Sequence, residues 1–177
     1  NGDVVTAQKN ILLHAPPVTE KLTGTPHCDQ GSFWVVTHEQ GNSNFVSYEV
    51  TSSGIVGPVI SAVGPPQGGA IGYMNITEDG SRIGLSNYNP SLGVADFDNT
   101  NGTVANWIDL NYQSNYSSGF SPDGNMFYHW SYTPQNRIFQ VDLTLGTQAL
   151  INASRVTIAT QTQWYSGFQI GEDGHVY

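Results

Sequence analysis

Residues 119–146, GFSPDGNMFYHWSYTPQNRIFQVDLTLG, decide the fold, because their pattern of turns and short apolar stretches recurs along the chain. The letters FSPDG at 120–124 predict the end of a strand and a tight turn. Proline sets φ at the second turn position, and Asp-Gly tolerates the left-handed positions that follow. A strand over 126–128 leaves this turn, and a second strand over 138–141 follows a polar loop. The stretch is therefore a repeat unit of antiparallel strands.

Weaker copies of this unit lie before it, and the beginning of another lies after it. The shared turn glycines are Gly31, Gly80, Gly124 and Gly174, and those that end the second half are Gly54, Gly102 and Gly146. The first set is spaced by 49, 44 and 50 residues and the second by 48 and 44. A period of about 40–50 residues with several short strands in each unit is typical of propeller blades. The sequence therefore predicts an all-β fold, a β-propeller built of four-stranded antiparallel blades.

Two stretches resemble known propeller proteins. Residues 76–104, ITEDGSRIGLSNYNPSLGVADFDNTNGTV, resemble the YVTN type of WD40-like repeat, with its Asp-Gly turn, small polar strand end and second glycine turn. Residues 1–39, NGDVVTAQKNILLHAPPVTEKLTGTPHCDQGSFWVVTHE, are similar to the start of the N-terminal propeller region in large secreted Bacteroidetes surface proteins. Proteins of that kind often also carry PKD-type and gliding-motility-associated domains. The resemblance implies an extracellular or bacterial cell-surface location, and it implies no particular reaction.

The chain is predicted to be a single, partial propeller domain of about three and a half blades. The predicted blades cover about 18–64, 65–111 and 112–160, and a further blade starts at 161–177. Residues 149–158 are predicted as the outer strand of the third blade, and residues 1–15 as a first strand or the outer strand that closes the ring. No helix is predicted, because Gly or Pro interrupts the apolar blocks about every ten residues. Open blade faces predict contact with the remaining blades of the same propeller or self-association.

Composition excludes several classes of partner. The net charge is −9 and Lys plus Arg number 5, so the clustered cations that bind nucleic acid or an anionic membrane surface are missing. No apolar run approaches the ~18 residues of a membrane span, so no membrane insertion is predicted. The single cysteine, Cys28, cannot form an internal disulfide. The chain begins with Asn1 and has no secretion signal, so it is predicted to be a mature product or a fragment.

Loops on one side of the predicted propeller carry the candidate ligand contacts. If the Asp-Gly turns join the first and second strands on one side, the loops after the second and fourth strands share the other side, here called the mouth face. Its candidate contacts are His38, Glu39, Asn87, Tyr88, Tyr112, Trp130, Tyr132, Trp164 and Tyr165. Flat aromatic faces stack on sugar rings, and planar amides offer paired donors and acceptors to hydroxyls. The mouth face is therefore predicted to bind a glycan or an extracellular protein.

Catalysis and metal binding find weaker support. Aligning the second strands puts His38, Asn87 and Ser131 at equivalent positions, with Glu39 beside the first. A His-Glu pair suits acid–base work or a metal, but a second carboxylate or third ligand is missing, and a hydrogen-bonded loop histidine is the simpler interpretation. No catalytic residue, metal or cofactor is predicted. The repeated turn aspartates are predicted to hold their turns: Asp79, Asp123 and Asp173 in the first turn, and Asp98 and Asp142 in the second.

The resulting hypothesis is a secreted or surface-anchored propeller that binds a glycan or surface protein without catalysis. One alternative is a lactonase-like or glycan-cleaving propeller enzyme whose catalytic set is completed by other blades. A propeller glycosidase needs facing carboxylates, and SPDG at 121–124 does not match the sialidase Asp-box. A calcium site in DFDNTNG at 96–102 is not predicted, since the acidic ladder of an EF-hand loop is missing. A second alternative is a structural spacer in an adhesin.

Overall fold

Twelve strands form three antiparallel four-stranded sheets in the computed structural model, which describes residues 6–88, 91–113, 115–133, 136–162 and 167–177. Blade 1 contains β1 (Val18–Pro26), β2 (Phe33–Glu39), β3 (Asn44–Thr51) and β4 (Gly54–Ala62). Blade 2 contains β5 (Gly72–Ile76), β6 (Arg82–Asn87), β7 (Leu92–Asp98) and β8 (Thr103–Asp109). Blade 3 contains β9 (Asn115–Phe120), β10 (Met126–Ser131), β11 (Asn136–Asp142) and β12 (Val156–Gln161).

The sheets are arranged as consecutive blades of a propeller. Strand β5 lies between β1 and β9, so the first strand of each blade lines the axis. A fourth blade begins at the end of the chain, where Ile170 and Val176 form an antiparallel bridge around another glycine turn. The predicted all-β propeller of four-stranded blades, with three blades and part of a fourth, is confirmed.

The repeated Asp-Gly turns have the same hydrogen bonds in consecutive blades. Asp79 Oδ1 accepts from the Ser81 amide at 3.0 Å and from the Thr77 hydroxyl at 2.6 Å. Asp123 Oδ1 makes the matching bonds with the Asn125 amide at 3.1 Å and the Ser121 hydroxyl at 2.5 Å. These bonds confirm that the aspartates hold the turns. Burial acts to raise the pKa of Asp79, but the hydrogen bonds together outweigh it and lower the pKa, and the matching bonds lower the pKa of Asp123.

Two apolar clusters join the blades. Between blades 1 and 2, Trp34 and Val36 pack with Ile83 and Leu85, and the Trp34 indole donates to the Asn99 carbonyl at 2.9 Å. Between blades 2 and 3 the cluster contains Leu92, Val94, Leu110, Phe120, Phe127, Val141, Leu143 and Ile151. Burying a side chain of this size contributes roughly 1.5–3 kcal/mol. Each blade is therefore stabilised mainly by the face that it presents to its neighbour.

The prediction that the chain has no helix is wrong, as is the outer strand predicted over 149–158. Residues Gln148–Ala153 form the short helix α1, and β12 starts at Val156. The Thr147 hydroxyl caps the helix by accepting from the Leu150 amide, and Ile151 is buried. A short apolar block such as Leu150-Ile151 fits a strand or a helix equally. Here the cap at Thr147 favours the helix. No helix in the described residues is long and apolar enough to span a membrane.

The N-terminal segment also differs from its predicted strand. Residues 1–5 lie outside the described residues, Thr6–Gln8 form a turn of 3-10 helix, and 9–17 are irregular. Side chains and single backbone bonds hold this segment against blade 1. The Tyr48 hydroxyl donates to the Leu13 carbonyl at 2.7 Å, and the Gln40 amide donates to the Pro17 carbonyl at 2.9 Å. These contacts replace the ladder of backbone bonds that a strand would need.

Candidate functional site

The mouth face consists of the loops after the second strands and the connections between blades. The described parts of these loops are 40–43, 63–71, 88, 91, 110–113, 132–133, 162 and 167–169. Asp-Gly turns lie on the opposite face, as the antiparallel order of the strands requires. The predicted contacts Trp164 and Tyr165 lie outside the described residues.

The structure shifts the predicted alignment of the second strands by one residue. In each blade, one residue near the start of the second strand pairs with the last residue of the first strand. These pairs are Pro26↔Phe33, Ile76↔Ile83 and Phe120↔Phe127. Counting five residues along each strand makes His38, Tyr88 and Tyr132 equivalent, whereas the sequence alignment matched His38 with Asn87 and Ser131. A one-residue shift reverses the face of a strand. His38 therefore faces blade 2, while Asn87 faces back towards blade 1.

Tyr88 and Tyr132 form a stacked pair across blades 2 and 3. Their ring centroids are 5.0 Å apart and the planes differ by 16°. The Tyr132 hydroxyl donates to the Tyr88 carbonyl at 3.1 Å, which fixes the second ring beside the first. Tyr88 is 37% exposed, and Tyr132 is half-buried. The structure thus brings these two predicted contacts together as an aromatic platform on the mouth face.

His38 is fully buried between blades 1 and 2. Its ring meets the Phe45 ring edge-on at 4.5 Å, and its Nδ1 lies 2.6 Å from the Glu39 carbonyl. Because a carbonyl only accepts, Nδ1 carries the proton and Nε2 is an acceptor. Burial lowers the pKa of His38 to about 4, and the charge of Lys21 adds to that shift. The imidazole is therefore neutral at pH 7 and has no direct contact with solvent.

Glu39 is buried and saturated by protein donors. His14 Nε2 lies 2.8 Å from Glu39 Oε1. The side-chain Nδ2 of Asn44 donates to Glu39 Oε2 at 3.0 Å, and the side-chain Nδ2 of Asn42 also donates to Oε2. These donors lower the pKa of Glu39, the Asn42 bond most of all. Its partner His14 was not identified in the sequence, because only the fold brings residues 25 positions apart together. This carboxylate anchors the N-terminal segment to blade 1.

Asn87 is also fully buried and links the blades. Its Nδ2 donates to Gln67 Oε1 at 3.0 Å and to the Gly69 carbonyl at 3.1 Å. Gln67 is itself buried and receives no signal in the sequence beyond its position in a Pro- and Gly-rich connection. Asn87 therefore holds the connection between blades 1 and 2 in place.

Two further predicted contacts contribute to packing. Trp130 is 1% exposed and meets the Tyr116 ring edge-on at 6.3 Å. Tyr112 packs between His129, at 5.1 Å, and Phe139, at 4.8 Å, with the Arg155 guanidinium 4.7 Å above its ring. Trp130 is therefore buried and Tyr112 half-buried by contacts in and around blade 3, whereas Tyr88 and Tyr132 stack on each other.

The described residues hold no group of three His, Cys, Asp or Glu side chains arranged to bind a metal ion. The two groups most suited to acid–base work, His38 and Glu39, point into protein contacts. The arrangement that the mouth face does offer is an aromatic platform bordered by polar loops. Such a surface can stack on a flat apolar face and hydrogen-bond around it.

Comparison with known proteins shows the fold. No protein-family model and no curated protein matches this chain. Hydrazine synthase of Kuenenia stuttgartiensis superposes with a TM-score of 0.60 at 18% identity, covering 94% of this chain and 43% of that one. A putative 6-phosphogluconolactonase from Bacteroides uniformis gives 0.56 at 12% identity, with coverages of 90% and 46%. The Dos1 propeller gives 0.51 at 13% identity, with coverages of 89% and 37%. The chain is a β-propeller segment that spans less than half the length of these three structures.

Proposed function

We propose that this chain is part of a secreted or bacterial cell-surface propeller, of the type found in large Bacteroidetes surface proteins, that binds a glycan or an extracellular protein. The observation that supports a binding role is the Tyr88–Tyr132 platform, stacked at 5.0 Å and partly exposed on the mouth face. The location rests on the resemblance of residues 1–39 and on the Lys-poor composition.

Charge narrows the class of ligand. The chain has a net charge of −9, and the only cations are two lysines and three arginines. Lys21 is buried, Arg82 donates to the Gly124 carbonyl and Arg155 donates to the Leu110 carbonyl. An anionic ligand would therefore meet net repulsion. A neutral glycan fits best, because tyrosine faces stack on sugar rings and need no charge.

A catalytic role is the second candidate, favoured by the structural similarity to a putative 6-phosphogluconolactonase. In this proposal the catalytic groups come from further blades, since His38 and Glu39 are both occupied by protein contacts. This proposal would be supported if a longer form of the protein hydrolyses a lactone and if no substitution within residues 6–177 abolishes that activity.

The binding proposal is tested on a glycan array with the chain and a Tyr88→Ala/Tyr132→Ala variant. We expect the variant to lose the signal, while Tyr177→Ala, which removes a tyrosine that is 72% exposed near the last Asp-Gly turn, keeps it. Tyr132→Phe, which keeps the ring and loses the bond to the Tyr88 carbonyl, should weaken binding less than Ala. Absence of any glycan signal from the intact protein would overturn the glycan proposal in favour of a protein contact or a spacer role.

A further inference from the structure

A cluster of buried polar groups lies between blades 1 and 2, beneath the connection at 63–71. It contains Lys21 of β1, His38 of β2 and Asn87 of β6, which are 2%, 0% and 0% exposed. These three residues are called the junction cluster. Neither Lys21 nor Asn87 belongs to the Tyr88–Tyr132 platform, and the cluster needs a separate explanation.

The backbone brings the three side chains to one place. Lys21 lies in the irregular stretch of β1 between the pairs Val18↔Glu39 and Leu22↔Thr37, beside the end of β2 that carries His38, and its charge acts on the His38 ring. A Cβ at Gly72 would lie 3.0 Å from Lys21 Cε and 3.0 Å from the Asn87 Cα. The lysine stem therefore crosses Gly72 beside Asn87, and the absence of a side chain at residue 72 makes room for it.

Donors and acceptors in the cluster do not balance within the protein. Lys21 Nζ donates to the Ala70 carbonyl at 3.1 Å, which leaves two N–H groups over in the described part of the chain. Since its Nδ1 donates to Glu39, His38 Nε2 is an acceptor, and Asn87 Oδ1 is an acceptor because its Nδ2 donates twice. Neither acceptor has a hydrogen-bond partner among the described residues. Two donors on Lys21 and two acceptors, on His38 and Asn87, are thus left over in this buried cluster.

We propose that the junction cluster binds a buried water molecule, which accepts from Lys21 and donates to His38 Nε2 or Asn87 Oδ1. The chemistry of the walls excludes other small guests. An anion could pair with the ammonium group, but it has no proton to donate to the two acceptor lone pairs, and a metal cation would be repelled by the ammonium group. Water is neutral and both donates and accepts, and buried waters typically make about three hydrogen bonds to otherwise unsatisfied groups.

Two further observations agree with a solvated ammonium in this position. No carboxylate lies within ion-pair distance of Lys21 in the described residues. Burial lowers the pKa of Lys21 to about 8, opposed by the carboxylate of Glu20, while Lys21 in turn lowers the pKa of His38. The ammonium therefore persists at pH 7 without an ion-pair partner, and a bound water supplies the missing acceptor.

The junction cluster also positions the platform of the proposed function. Asn87 binds the Gly69 carbonyl, Lys21 binds the Ala70 carbonyl, and the Tyr88 amide donates to the Ile71 carbonyl at 3.1 Å. The three consecutive carbonyls of residues 69–71 in the connection therefore each accept a hydrogen bond from β1, from β6 or from Tyr88. Lys21 is a positioning residue for this connection and, through it, for Tyr88.

A crystal structure of the chain, refined at a resolution that shows ordered waters, tests the site directly. We expect water density within hydrogen-bond distance of Lys21 Nζ and of at least one of the two acceptors. Direct contact of Lys21 with His38 or Asn87, a carboxylate on Lys21, or no density between them would overturn the proposal. This test does not depend on glycan binding, so it separates the site from the proposed function.

A double-mutant cycle in solution gives an independent test. Lys21→Met keeps the stem over Gly72 and removes the ammonium, and His38→Phe keeps the ring against Phe45 and removes the acceptor. If both residues share a water, we expect the double variant to lower Tm by clearly less than the sum of the single variants. Lys9→Met, which changes the exposed second lysine, should combine additively with His38→Phe. Additive losses for Lys21→Met and His38→Phe would contradict a water that is shared by these two residues.

Discussion

Burial of individual side chains decides which residues of the mouth face can meet a ligand. His38, Asn87 and Trp130 occupy mouth-end positions on their strands, yet each is at most 1% exposed. Tyr88 is equivalent to His38 and is 37% exposed. The same position in the repeat is thus a buried contact between blades in blade 1 and a partly exposed ring in blade 2.

Buried histidines make the stability of the chain sensitive to mild acid. Burial lowers the folded-state pKa of His38 to about 4 from its ordinary value of 6.5, and it also puts the pKa of His129 well below 6.5. The unfolded chain therefore binds more protons between about pH 6.5 and 4, and stability falls as pH falls through that window. For His38 alone the loss approaches about 3 kcal/mol at its limit.

Urea unfolding at several pH values between 7 and about 4 measures this dependence. We expect His38→Phe to flatten the pH slope. His175→Gln, which removes a histidine whose side chain is 77% exposed, should leave the slope unchanged. An equal slope in the wild type and in His38→Phe would show that His38 does not resist protonation.

Gly84 is required by the packing between blades 2 and 3. A Cβ at this position would lie 2.4 Å from Phe127 Cε2 and 3.1 Å from Phe120 Cζ, both in buried rings. We expect Gly84→Ala to destabilise the chain by about 1–3 kcal/mol through overpacking. Gly68→Ala, where no atom lies within 4 Å, is the matched control and should change the thermal midpoint little. A neutral Gly84→Ala would mean that the two rings can move apart freely.

At the scale of single elements, the Asp-Gly turns depend on a hydroxyl as well as on the aspartate. Thr77 is 4% exposed, and its Oγ1 accepts from the Arg82 amide at 3.0 Å while donating to Asp79. Ser121 makes the same contacts in blade 3, where its Oγ accepts from the Met126 amide at 2.9 Å. The turn is therefore a small polar network that joins the first and second strands of a blade.

Removing that hydroxyl should weaken the turn without changing its shape. We expect Thr77→Val to lower the free energy of unfolding by about 1–3 kcal/mol, because a buried amide loses its acceptor. Thr77→Ser keeps the hydroxyl and should retain most of the stability. Chemical denaturation of the three proteins measures the difference, and equal losses for Val and Ser would assign the effect to the methyl group instead.

At the scale of the whole molecule, blade 1 has one apolar face without a neighbouring blade in the described chain. Phe33 and Leu22 lie on that face and are 56% and 68% exposed, whereas Trp34 and Val36, which face blade 2, are buried. Blade faces of this composition are normally covered by the next blade. The surface is therefore suited to contact with another blade or another copy.

The 177-residue chain is accordingly expected to self-associate at roughly micromolar concentration. Light scattering across a dilution series measures its molar mass. Leu22→Ser/Phe33→Ser should shift the chain towards monomer, while Leu12→Ser, at a leucine that is 77% exposed outside the sheets, should not. A chain that is monomeric at every concentration would contradict this expectation.

The sequence by itself determined the repeat, the all-β class and the position of each Asp-Gly turn. Turn chemistry is local, so Asp79 with Gly80 and Asp123 with Gly124 identify the turns without knowledge of the rest of the chain. The period between such turns then indicates blades. The structure agrees with the predicted turns and with their period, because neither depends on which strands pack together.

The tertiary structure alone decided the faces of the strands and hence the candidate site. The sequence alignment matched His38 with Asn87, and the strand pairing matched it with Tyr88, which reverses the direction of the side chain. The helix α1 and the His14–Glu39 contact likewise depend on a cap and on a distant partner. Side-chain burial arises from contacts between blades whose residues lie tens of positions apart, and a local pattern carries no information about them.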